Sequence, residues 1–127
     1  MKYTIIPITA LVLSIGYYVF TKPMAVRMAL PVRAVLSMDE FYQDAGFLPD
    51  FIHCVRAEVT EPEFSSFTTR MKLVPYKGSD SFPRCDANWW SASGSASGAF
   101  YDPAQREGDT LMVKYENGRL YYVAYAS

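Results

Sequence analysis

Histidine and cysteine are scarce in this chain: among 127 residues there is one histidine, His53, and there are two cysteines, Cys54 and Cys85, with no Cys-x-x-Cys pair. A structural zinc ion takes four such ligands, so no metal site is expected, and no other cofactor is called for. Basic clusters are missing too. Residues 27–127 carry ten Lys and Arg against thirteen Asp and Glu, a net charge of −3, which argues against a nucleic-acid partner. The serine-rich tract 91–98 contains glycines but no lysine after them and no strand directly before it, so it is not a phosphate-binding loop.

Charge is absent altogether between Lys2 and Lys22, and there the sequence reads YTIIPITALVLSIGYYVF over residues 3–20. At about 1.5 Å per residue these eighteen residues span roughly 27 Å, near the ~30 Å of a bilayer's hydrocarbon core, with tyrosines placed for its interfaces. A cleaved signal peptide is the competing reading. It fits poorly. A cut after Ala25 sets Pro23 at the third position before the bond, and one after Ala29 sets Arg27 there, where a small residue is needed. The expectation is an uncleaved single-pass transmembrane anchor over residues 1–22, a linker over 23–31 and one small domain over 32–127, a length that supports a single core. Lys22, Arg27 and Arg33 follow the run and favour a cytoplasmic domain. The signal-like layout and the Tyr-, Ser- and Gly-rich domain favour the other side, and the expected location is the outer, periplasmic face of a bacterial inner membrane.

Within the domain, residues 32–38 alternate Val32, Ala34, Leu36 and Met38 against Arg33, Val35 and Ser37, which reads as a half-buried strand. Residues 39–50 read as a loop holding Phe41, Phe47 and Leu48. Residues 51–59 alternate again, His53 and Val55 on one face and Cys54 and Arg56 on the other. Thr60-Glu61-Pro62-Glu63 has the form of a capping box with proline in the first turn, and Phe64, Phe67 and Met71 then fall on one stripe of a helix ending near Lys72 or Leu73. Asn117-Gly118 between two alternating runs is a type I′ hairpin signal. Pairing Glu116 with Arg119 as a cross-strand ion pair fixes its register: Leu111, Val113 and Tyr115 then share a face with Leu120, Tyr122 and Ala124. Met112, Lys114, Tyr121, Val123 and Tyr125 share the other, which needs a cover. Residues 76–109 lack periodicity, and the Ser-Gly tract within them reads as flexible. The order β-β-α-β-β implies an α+β fold, a small antiparallel sheet with one packed helix.

Candidate chemistry is thin. His53 and Cys54 are neighbours on a strand, so their side chains point to opposite faces and cannot form a nucleophile–base pair. Asp39 with Glu40, and Asp44 with Asp50, are acidic pairs in a setting read as a loop, where solvated charge is the plain reading. Cys54 and Cys85 either form the one available disulfide or stand as unrelated thiols. Trp89 and Trp90, with Tyr121 and Tyr125, are the binding candidates: as an aromatic platform for a partner, or else as core, one indole covering the hairpin and the other at the membrane interface. The expected function is therefore a non-enzymatic, membrane-anchored domain that binds a protein partner. The alternative is a small accessory subunit that joins a larger membrane complex through its transmembrane helix.

Overall fold

The C-terminal hairpin is the frame of the domain. Strand β5 (Thr110–Glu116) and strand β6 (Arg119–Ala126) pair antiparallel, with Glu116 opposite Arg119 and Leu111 opposite Ala124. Asn117 and Gly118 take φ of 55° and 75°, the left-handed geometry that a type I′ turn demands. The computed structural model describes residues 25–44 and 50–126. The expected anchor over residues 1–22, and Phe47 and Leu48, lie outside these. Among the described residues no helix is long and apolar enough to cross a membrane.

Around the hairpin the described residues form a six-stranded antiparallel sheet. Its order is β1 (Asp39–Asp44), β2 (Phe51–Glu58), β6, β5, β4 (Phe100–Tyr101) and β3 (Val74–Pro75). Helices α1 (Ala25–Ala29), α2 (Val32–Ser37) and α3 (Glu61–Arg70) complete an α+β fold. Helix α3 starts as its sequence dictates: the Thr60 hydroxyl accepts from the Glu63 amide at 3.3 Å, and the Thr60 amide donates to the Glu63 carboxylate at 2.8 Å.

Both faces of the sheet are buried. On one, Val55, Val113, Leu120 and Tyr122 pack against Phe64 and Phe67 of α3 and against α1 and α2. On the other, Cys54, Met112, Tyr121 and Val123 meet Phe82, Cys85 and Ala99, so the irregular segment between β3 and β4 is the cover that the hairpin's second face requires.

Three expectations are corrected. Residues 32–37 form helix α2 rather than a strand: Pro31 opens the turn, its carbonyl accepting from the Ala34 and Val35 amides at 3.0 and 3.1 Å, and the small Ala34 is the side chain that buries. Six residues are too few to separate a period of 2 from one of 3.6. Residues 39–44 form edge strand β1 rather than a loop, because Asp39 finds a cation in Arg56 and Glu40 finds one in Arg27 and a hydrogen-bond partner in His53. The hairpin register holds, yet Glu116 does not pair with Arg119. Its carboxylate turns to Lys114, 2.9 Å away on the same face and strand, while Arg119 stands 4.0 Å from Glu58.

Candidate functional site

The four aromatic candidates do not form an open platform. Trp90 stacks on Phe82, centroids 6.3 Å apart and planes 3° apart, and meets the edge of Tyr121 at 5.2 Å. Tyr121 itself is 2 % exposed and shares a hydrogen bond of 2.8 Å with Ser91, so it belongs to the second core. Trp89 is half-buried beneath Arg56, whose guanidinium lies 5.6 Å from the ring centroid and donates to the Trp89 carbonyl. Asp39 fixes that guanidinium at 2.7 and 2.9 Å. The tryptophans thus close the second face of the sheet, and their large apolar area is spent on Tyr121 and Phe82.

Two further devices fasten this layer. Cys54 of β2 and Cys85 of the irregular segment form a disulfide, with Cα atoms 6.5 Å apart. Lys114 is buried under the Ser-Gly tract: its ammonium donates to the Ser93 carbonyl at 2.7 Å, the Ser93 hydroxyl at 2.8 Å and the Ser95 carbonyl at 2.9 Å, and it sits 4.7 Å from the Phe82 ring centroid. Glu116 adds bonds from the Ser93 amide and hydroxyl at 3.0 and 2.7 Å. Composition reads this tract as flexible; the structure ties it to the sheet.

His53 is buried on the helix-bearing face between Tyr42 and Tyr122, ring centroids 5.5 and 5.4 Å away. Its Nε2 lies 2.8 Å from the Glu40 carboxylate, and its Nδ1 has no partner among the described residues. Burial draws its pKa below the ordinary 6.5, against the opposing pull of Glu40, so the contact is a hydrogen bond from a neutral imidazole. Cys54, on the opposite face, is bridged to Cys85. Because the unfolded chain then protonates first as the pH falls, the His53 contribution to stability is complete above about pH 6.5 and is lost below it. The urea midpoint should therefore drop on going from pH 7 to 5.5 in the native chain and stay flatter in His53→Gln. Equal slopes in the two would remove His53 as the cause.

Tyr125 opens onto a cavity of about 280 Å³, where Tyr76 and Tyr101 join it with Asp80, Asp102 and Asp109. Tyr76 and Tyr101 meet edge to face at 5.8 Å. The Tyr76 hydroxyl donates to Asp80 at 2.9 Å, which holds the phenol's proton and raises its pKa. Asp102 accepts from the Ala104 amide and the Gln105 side chain, both at 2.9 Å, and so shapes the turn at the rim. No lysine or arginine lines the cavity. Sequence reading missed these partners of Tyr125 because they lie in the segment without periodicity; the Tyr101-Asp102 neighbours just before the hairpin are the nearest thing to a signal. Asp39 and Glu40 are each committed to cations, and among the described residues no group of three His, Cys, Asp or Glu side chains is placed to hold a metal ion.

Comparison of the chain with family models, with curated proteins and with solved structures gave no match.

Proposed function

We propose that the chain is a single-pass, membrane-anchored, non-enzymatic domain that binds a protein partner at the membrane surface. The observation that carries this reading is the uncharged run over residues 3–20, set directly ahead of a small disulfide-bridged domain. The bridge supports a place on the oxidising side, at the periplasmic face of a bacterial inner membrane. The recognition site of this proposal is the cavity at Tyr125, since Trp89, Trp90 and Tyr121 are engaged in packing. Tyrosines with one wet end are well suited to an interface, and here they stand among carboxylates that favour a basic segment of the partner. Against catalysis stand the two residues that most invite it, Cys54 in a bridge and His53 sealed in the core.

The competing reading, an accessory subunit held by its helix, makes the opposite prediction for a helix exchange. Replacing residues 3–20 by an unrelated membrane helix should leave co-purification of the partner intact, whereas Tyr101→Ala with Tyr125→Ala should abolish it while far-UV circular dichroism stays unchanged. Loss of the partner on helix exchange, with the double variant still binding, would establish the accessory role instead.

A further inference from the structure

Among the described residues only four large apolar side chains are exposed, and three of them, Met28, Val32 and Leu36, lie in α1 and α2 at 74, 75 and 83 %. The fourth, Val74, is far less so at 37 %. The same two helices place Val26, Ala29 and Ala34 in the core, and Leu30 between them joins it. They are therefore apolar on the side that faces the sheet and apolar again on the side that faces out, a pattern that calls for a second apolar neighbour. Val32 and Leu36, four residues apart, share one face of α2.

The sequence says what that neighbour is. The uncharged run ends at Phe20, five residues ahead of α1, and at no more than about 3.5 Å per residue the start of α1 lies within roughly 17 Å of it. Basic residues accompany the apolar ones: Lys22 precedes α1, Arg27 lies within it and pairs with Glu40, and Arg33, paired with Glu63 yet 60 % exposed along its side chain, stands beside Val32. Apolar side chains with Lys and Arg beside them make the composition of a helix that lies in a lipid headgroup layer. We infer that α1 and α2 rest on the bilayer with Met28, Val32 and Leu36 in its interfacial zone, so that the domain docks on the lipid surface rather than swinging from a tether. This rests on the anchor reading above and adds the domain's orientation to it: α1 and α2 face the lipid and the sheet stands behind them.

With Cys54 and Cys85 bridged, a single added cysteine is the one free thiol of the full chain and can carry an environment-sensitive fluorophore. Labels at Leu36→Cys and Val32→Cys, in vesicles of mixed neutral and anionic lipid, should emit to the blue of a label at Glu107→Cys. They should also be quenched severalfold more strongly by nitroxide-bearing lipid than by an aqueous quencher. A label at Val12→Cys reports the anchor independently. If it is in lipid while the Val32 and Leu36 labels are in water, the docked orientation is wrong and the anchor stands; if it too is in water, both fall. Should unlabelled Leu36→Cys instead oxidise to a disulfide-linked dimer with its label shielded from both quenchers, the patch is a contact between two copies of the chain, and the lipid assignment is overturned.

Discussion

Opening the Cys54–Cys85 bridge should cost the domain about 3–4 kcal/mol, the loop-closure entropy returned to the unfolded chain when a link across 31 residues is cut. In a domain of this size that corresponds to a fall in Tm on the order of 20 °C. The effect should exceed the entropic figure in one respect. Cys85 is a fixed point of the segment that covers Met112, Tyr121 and Val123, so its release also frees the chain that carries Phe82 and the two tryptophans. Both sulfurs are buried, hence reductant should act slowly on the folded protein and quickly in urea. Urea titration of the bridged and the reduced full chain in detergent tests this, and coincident midpoints would show that aromatic packing and Lys114 hold the layer without the bridge. Labelling with a membrane-impermeant thiol reagent in intact cells extends the test to topology: thiols that react only after reduction place the domain outside, and thiols that react only after lysis place it in the cytoplasm.

How much of this fold is legible in the sequence depends on whether the governing interaction is local. The hairpin is legible because Asn117 and Gly118 specify their own backbone geometry, and α3 is legible because Thr60 and Glu63 satisfy each other's amides within one turn. Helix α2 and strand β1 are decided elsewhere. Residues 32–37 alternate like a strand, but Ala34 is the residue small enough to lie against the sheet, and only a helix delivers it there while leaving Val32 and Leu36 out. Residues 39–44 read as a loop until Arg56, His53 and Arg27 arrive from other parts of the chain to take up Asp39 and Glu40.

The candidate site follows the same rule. A Trp-Trp pair beside a Ser-Gly tract has the composition of a binding loop and equally that of a lid, and the two differ only in what lies beneath. The hairpin's second face, Met112, Tyr121 and Val123, is evident as a surface needing cover, while the identity of the cover depends on Cys85, Phe82 and Lys114 acting at long range. Tyr125 packs, partly buried, against that same layer and also lines a cavity with Tyr76 and Tyr101.

Lys114→Met should destabilise the domain by about 2–3 kcal/mol, and the competing effects can be weighed. In favour of the variant, an ammonium no longer has to be desolvated, and methionine can still lie against Phe82. Against it, the carbonyls of Ser93 and Ser95 and the Glu116 carboxylate lose their common donor together. Ser93 and Ser95 are exposed enough for water to reach them, which holds the loss below that of a fully buried ion pair. Glu116 adds a pH signature. The Ser93 hydroxyl first, and Lys114 after it, hold its carboxyl below the ordinary 4.5, so its contribution to stability is present above that pH and is lost as the pH falls further. Without Lys114 the pull on that carboxyl weakens, and the acid limb of the stability curve should flatten. Hydrogen exchange locates the damage: the Phe82 amide, which donates to the Gly94 carbonyl at 2.9 Å, should lose protection, while the β2–β6 ladder at Val55 and Tyr122 keeps it. If both sets of amides stayed protected and the urea midpoint did not move, Lys114 would not be a fastening of the layer, and the bridge with the stacked indoles would account for it.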